Sequence, residues 1–229
     1  MSVKFDRRAM MFGAGSLPLL ASAASAQPKP AETPLAPTPP MGWNSWNSFA
    51  TTITEAQSRE NAAIMANKLL PSGYDVFTVD IQWYEPNATG YDYRPGAELT
   101  MDEFGRLWPA VNRFPSSANG AGFKPLADYV HSLGLKFGVH LMRGIPRLAY
   151  ERNLKVFGTN LRARDIANPN STCTWNTDMY GVDMSKDGAQ AYYNSVFKLF
   201  ADCDIDFVKV DDLSRPYCNN WAEVEAIHK

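Results

Sequence analysis

Four short runs rich in apolar, β-branched and aromatic residues, each followed by a stretch of helical periodicity, constrain this 229-residue chain more than any other feature. Such alternation marks βα units, whose strands pair in parallel because each helix carries the chain back across the sheet. The predicted strands are residues 42–46, 75–83, 135–141 and 206–211. Between the first two, residues 55–70 place Ala62, Met65, Ala66 and Leu69 at helical spacing, and Pro71-Ser72-Gly73 stops the helix. Residues 123–133 repeat the design with Leu126, Tyr129, Val130 and Leu133, and Gly134 stands just past the end, where a left-handed backbone is wanted. Residues 189–201 do the same with Tyr192, Tyr193, Val196, Phe197 and Phe200, and a fourth helix begins at Trp221. An eightfold βα barrel takes about 250 residues, whereas this chain displays four strands and ends inside a periodic helix at Lys229. The expectation is therefore an α/β fold that forms the first four units of a (β/α)8 TIM barrel, the alternative being a complete four-stranded open sheet.

The residues ahead of this body cannot pack a core. Residues 1–26 combine Arg7-Arg8, an apolar run from Ala9 to Leu20 and a small-residue ending, Ala24-Ser25-Ala26. This is the build of an export signal of the twin-arginine type, with an ordinary secretory signal as the alternative. The apolar run falls short of the roughly 20 residues that span a bilayer, so no membrane association is expected after its removal. Residues 27–38 begin a proline-rich spacer, and six prolines fall between Gln27 and Pro40. The third segment, residues 39–229, is the partial barrel. The product is expected to be periplasmic or extracellular.

Charge narrows the partners. The formal net charge is −2, and removal of the signal takes away Lys4, Arg7, Arg8 and Asp6, leaving the chain more acidic still; nucleic acid is an unfavourable partner. Three cysteines without paired Cys/His spacing argue against a structural zinc, and no cofactor or metal is expected. Six Trp and ten Tyr suit a well-filled core or a surface that stacks on flat ligands.

In parallel βα folds, ligands bind beyond the carboxyl ends of the strands. Here those ends are polar: Asn44-Ser45-Trp46-Asn47, Asp80-Ile81-Gln82-Trp83-Tyr84, His140-Leu141-Met142-Arg143 and Asp211-Asp212. Side chains alternate along a strand, so Phe207, Lys209 and Asp211 share one side. A lysine beside Asp211 favours the ionised carboxylate, which suits a nucleophile better than a proton donor. A buried ion pair holding the barrel together is the structural alternative. Lys136, Gly138 and His140 likewise share a side, with His140 at the mouth as a substrate contact or a hydrogen-bonded wall residue. Trp46 and Trp83 are core residues or sugar-stacking platforms.

Four motifs in order, Pro39-Pro40-Met41-Gly42-Trp43-Asn44-Ser45-Trp46, Val79-Asp80 to Trp83, Gly134-Leu135-Lys136-Phe137-Gly138-Val139-His140 and Val208-Lys209-Val210-Asp211, resemble glycoside hydrolase family 27. This is the family of alpha-galactosidases and alpha-N-acetylgalactosaminidases, and the resemblance extends from Thr38 to Lys229. It implies a retaining glycosidase that cleaves terminal alpha-galactoside-like sugars through a glycosyl-aspartate at Asp211, with Trp46, Asp80 and Lys209 lining the sugar subsite. It also implies that the acid/base carboxyl lies beyond residue 229, so that residues 1–229 alone are expected to be inactive. Retaining chemistry needs two carboxyl groups about 5–5.5 Å apart.

Two departures bear on specificity. Ile81 stands where the family has a second aspartate, and an aliphatic side chain accepts no hydrogen bond from a hydroxyl; His140 stands where a tyrosine is usual. Together with a long loop from Gly144 to Tyr180 that carries Trp175, Asn176 and Asp178, they open a beta-L-arabinopyranoside or an alpha-glucan unit as alternative substrates. A noncatalytic sugar-binding barrel is the alternative from another class, and a metal-dependent barrel enzyme a third. The family's disulfide between the loops after strands three and four implies a Cys173–Cys218 bond, with Cys203 left as a buried thiol.

Overall fold

The computed structural model describes residues 37–213 and 220–229. Thr38–Lys229 forms one compact unit of the chain. The expected export signal and most of the spacer lie outside the described residues, and every strand and helix named below belongs to that unit.

The first strand, β1 (Gly42–Asn44), is shorter than predicted, because Ser45 turns the chain into a four-residue helix, α1 (Trp46–Phe49). Helix α2 (Glu55–Lys68) opens on a capping box in which the Thr54 hydroxyl accepts from the Gln57 N–H while the Gln57 side chain accepts from the Thr54 N–H. Its buried face is Glu55, Ser58, Ala62 and Met65, while Leu69, predicted to be on that face, is exposed. Strand β2 (Val76–Val79) is buried throughout, as expected of a parallel strand covered on both faces. Helix α3 (Lys124–Ser132) presents Leu126, Ala127 and Val130 to the core, and Gly134 follows in the left-handed conformation at φ +79°. Strand β3 (Lys136–Met142) comes next.

The predicted loop from Gly144 to Tyr180 is in fact a folded insertion. It holds β4 (Ile145–Pro146), the short helices α4 (Arg147–Arg152) and α5 (Ala163–Ile166), β5 (Ala167–Thr172) and β6 (Met179–Val182). The three strands form an antiparallel sheet in the order β4-β6-β5. Gly144 makes the turn into it at φ +97°, where a Cβ would lie 2.1 Å from the Tyr180 carbonyl oxygen. Helix α6 (Ala189–Asp202), β7 (Phe207–Asp211) and α7 (Trp221–His228) complete the described chain.

Strands β1, β2, β3 and β7 form one parallel sheet in that order. This is the α/β arrangement of a partial barrel, with all four carboxyl ends on one rim. Phe77, Phe114, Phe123, Phe137 and Trp83 fill the core behind it, with edge-on ring pairs 5.0–5.5 Å apart among Phe114, Phe123, Phe137 and Trp83. Among the described residues no helix is long and apolar enough to cross a membrane.

Arg113 fixes the rim at β2. It is 7% exposed and donates to four carbonyl oxygens: Gln82 at 2.7 Å, Glu85 at 2.8 Å, Thr51 at 2.5 Å and Ile53 at 2.6 Å. One side chain thus satisfies backbone groups from the segments after β1 and β2, which would otherwise be buried without partners. Replacement Arg113→Met should lower unfolding free energy by about 3 kcal/mol, the cost of several stranded polar groups. Urea denaturation of the intact protein measures it, and a loss below about 0.5 kcal/mol, the range of ordinary surface substitutions, would contradict it.

Candidate active site

The carboxyl ends of β2, β3 and β7 bring Asp80, His140, Lys209 and Asp211 together. Parallel register sets His140 beside Lys209 and Met142 beside Asp211. Lys209 Nζ lies 2.9 Å from Asp80 Oδ2 and 3.5 Å from Asp211 Oδ2, so one ammonium serves two carboxylates. His140 Nε2 lies 3.3 Å from Asp211 Oδ2 and 4.0 Å from Asp80 Oδ1. His140 is fully buried, and its Nδ1 has no partner among the described residues, so a proton on Nε2 is the tautomer this geometry uses.

The two carboxylates differ in freedom. Asp80 is fully buried, and accepts from Asn44 Nδ2 at 2.5 Å, from the Ile81 N–H at 2.8 Å and from Lys209. Its own N–H donates to Ser45 Oγ at 2.9 Å, which ties β1 to β2. A carboxylate so fully engaged is a fixed acceptor. Asp211 keeps 35% of its side chain exposed and is the accessible member of the pair. The hydrogen bond from His140 is the largest influence on it, and with the charge of Lys209 and the Asp212 N–H it holds the Asp211 carboxyl well below the usual carboxylate range, against partial burial. The same neighbours and burial leave Lys209 an ammonium, because Asp80 and Asp211 outweigh the burial that opposes its charge.

An aromatic wall stands beside this group. Trp46 is half-buried and stacks on Tyr93, with centroids 6.0 Å apart and planes 12° from parallel. Tyr93 in turn meets Trp175 from the insertion at 5.4 Å. Burial first, then the carboxylates of Asp80, Asp211 and Asp178, push the Tyr93 phenol far up, so it remains a hydrogen-bond donor. Sequence reasoning missed Tyr93; its one advance signal was an aromatic pair, Tyr91 and Tyr93, in the segment after the second strand. Trp83 is not part of the wall. It is fully buried, packs on Phe123 and Tyr84, and donates from Nε1 to the His140 carbonyl oxygen at 2.9 Å, which makes it a core support for the strand that carries His140.

The insertion reaches the rim at two places. Asp178 Oδ2 accepts from Gln82 Nε2 at 2.6 Å, Tyr84 OH at 2.9 Å and Asn176 Nδ2 at 3.1 Å, docking the insertion onto the end of β2. Arg143, expected to face the mouth, is instead buried at 4% exposure between Asp212 and Glu223. Cys173 and Cys203 are buried, and no bond joins them. Cys218 belongs to residues 214–219, so the expected Cys173–Cys218 bond lies outside the described residues.

Because Asp211 is depressed in the folded protein, its contacts stabilise the fold above the unfolded value of about 3.9, and that contribution is lost as pH falls through the lower folded value. Replacement His140→Phe removes the largest cause and leaves no donor stranded, so the Asp211 titration should move upward toward about 3.9. Carbon-detected NMR of the Asp211 carboxyl reads this shift; an unmoved midpoint would contradict the assignment of His140 as its hydrogen-bond donor.

Comparison with known proteins identifies the family. Residues 38–185 match a family model, Melibiase_2, described as Alpha galactosidase A. An alpha-galactosidase from Cyamopsis tetragonoloba is 43% identical over 111 residues, which cover 48% of this chain and 23% of that protein. Two structures of a beta-L-arabinopyranosidase of glycoside hydrolase family 27 from Geobacillus stearothermophilus are also similar. One, in complex with arabinose, is 60% identical at a TM-score of 0.77, over 78% of this chain and 41% of that one. The other, the wild-type enzyme, is 56% identical at a TM-score of 0.80, over 85% of this chain and 46% of that one. The chain thus spans about a quarter of the curated relative and under half of the solved one. It belongs to glycoside hydrolase family 27, the alpha-galactosidase A family.

Proposed function

We propose that the intact protein is a retaining glycosidase that removes terminal alpha-galactoside-like sugars, with Asp211 as the nucleophile. The observation that carries this reading is the accessible Asp211 carboxylate, kept ionised between His140 and Lys209 at the rim. In the first step the carboxylate attacks the anomeric carbon as the leaving oxygen departs with a proton; in the second, water displaces the aspartate from the glycosyl-enzyme. Lys209 and His140 favour the charged form before attack. Asp80, buried and held by Asn44 and the Ile81 N–H, anchors Lys209 at the subsite, and Trp46 offers a stacking face to the apolar side of the ring. The proton donor in this reading is a carboxyl group from a later strand of the barrel.

A second reading concerns the sugar. Ile81, 2% exposed, follows Asp80 at the position where the family has a second carboxylate. A beta-L-arabinopyranoside has the ring configuration of an alpha-D-galactopyranoside without the hydroxymethyl group at C5. A site lacking one hydroxyl acceptor loses less on that substrate, since no hydroxymethyl group is left unpaired. The similarity to the Geobacillus beta-L-arabinopyranosidase favours the same preference.

Two measurements test these readings. Replacement Asp211→Asn should cut kcat on an aryl glycoside by about 10⁴-fold or more, the scale for removing a nucleophile, and unchanged turnover would reject the assignment. On matched nitrophenyl glycosides, kcat/KM should favour beta-L-arabinopyranoside over alpha-D-galactopyranoside by about 10-fold or more. Replacement Ile81→Asp should narrow that ratio. A wild-type preference for the galactoside would reject the second reading alone.

A further inference from the structure

We propose that Arg143 is the positioning residue for Asp211, acting through the backbone of Asp212. The inference rests on the reading of Asp211 as nucleophile and adds the device that aims it. Asp212 adopts φ +61°, a left-handed conformation that costs more than it would for glycine, although aspartate bears it better than most residues with a Cβ. The Asp212 N–H, in the peptide plane that joins it to Asp211, donates to Asp211 Oδ1 at 3.2 Å, a hydrogen bond to the carboxylate itself.

Arg143 supplies the contacts that hold Asp212. Its Nη2 lies 2.8 Å from Asp212 Oδ2, and its Nε donates to the Asp212 carbonyl oxygen at 3.1 Å, so the guanidinium grips one residue by side chain and main chain. Its own N–H donates to the Asp211 carbonyl oxygen at 3.1 Å. Asn220 Nδ2 holds the Asp212 carbonyl oxygen from the other side at 3.1 Å. Arg143 is itself fixed. Nη1 donates to Glu223 Oε1 at 2.9 Å and to Ser171 Oγ at 3.0 Å. Glu223, 5% exposed, accepts through Oε2 from the Val182 N–H at 3.1 Å and from the Tyr193 hydroxyl. Gly181 leaves the room: a Cβ there would lie 2.8 Å from Arg143 Nη1 and 2.6 Å from Ser171 Oγ. Strand β3, the inserted sheet, α6 and α7 therefore converge on one planar cation whose free edge holds the residue after the nucleophile. A lysine has no fork with which to hold Asp212 and Glu223 at once.

The test compares Arg143→Met, Arg143→Lys and the double variant Arg143→Met/Asp212→Gly in the intact protein. Glycine at 212 takes the left-handed conformation without help and removes the carboxylate that Arg143→Met leaves unpaired. Arg143→Met should lower kcat about 50-fold or more, with KM changed less than about threefold, because a misaimed carboxylate costs rate rather than binding. The acid limb of kcat/KM should move upward, since Asp211 loses the Asp212 N–H. Arg143→Lys should recover part of kcat, and the double variant should exceed Arg143→Met by about 10-fold or more. A merely structural arginine would lower the yield or melting temperature and leave kcat per folded molecule and the acid limb alone. If Arg143→Met does not fold, Glu223→Gln, which loosens Arg143 while keeping the volume, should show the same upward acid limb and a smaller loss of kcat. An unmoved acid limb in the folded variants, or a double variant no better than Arg143→Met, overturns the proposal while the nucleophile assignment stands. A wild-type enzyme inert towards aryl glycosides overturns both.

Discussion

The polar rim of the parallel sheet depends on a single ammonium group placed between two carboxylates. Asp80 and Asp211 end β2 and β7 of the same parallel sheet, with β3 between them, and two carboxylates on one rim repel each other. Lys209 offsets this by standing 2.9 Å from one and 3.5 Å from the other. The contact requires a long side chain, since it reaches from β7 past β3 to β2, two strand spacings of about 4.8 Å each. His140, beside Lys209 in the parallel register, adds a donor to Asp211. The division of labour in the proposed reaction follows from this arrangement: the buried carboxylate anchors the ammonium and the accessible one attacks the sugar.

Arginines play a different part. Arg113 and Arg143 are both buried, and each holds backbone of a rim segment. Arg113 gathers carbonyl groups from the ends of β1 and β2, whereas Arg143 bridges the end of β7 to the insertion and α7. The planar fork of donors makes this possible, because it can satisfy several fixed oxygens without losing its charge. The rim is thus braced from beneath by cations that never face the substrate, and the inserted sheet serves as part of that brace through Ser171 and the Val182 N–H. Asp178 adds a second attachment at Gln82 and Tyr84.

Much of this was legible in the residues, and for physical reasons. Period-two alternation put Lys209 and Asp211 on one side of a strand, and the structure brings them within 3.5 Å. The largely apolar run before Asp80 was equally plain, because a strand covered on both faces carries no charge until it reaches the rim. The insertion was opaque: β5 reads Ala-Asn-Pro-Asn-Ser-Thr, with neither alternation nor apolar content, and β4 is two residues long. Its sheet forms because neighbouring chain supplies the pairing and the burial. Arg143 was misplaced for a related reason. It sits just past the end of β3, where the turn redirects its side chain beneath the rim, and no local pattern records that choice; for the same reason the residues alone left Trp83 between core and stacking platform, and the structure puts it in the core. Tyr93 was missed because it comes from a segment without regular structure.

The central claim is that the carboxylate at 211 forms a bond to the sugar. Incubating the intact enzyme with a 2-deoxy-2-fluoro glycoside that bears a good leaving group slows the second step, so the glycosyl-enzyme accumulates and peptide mass spectrometry locates the label. The account predicts one equivalent of fluorosugar on Asp211. A label on any other carboxylate, or none while turnover continues, would contradict it.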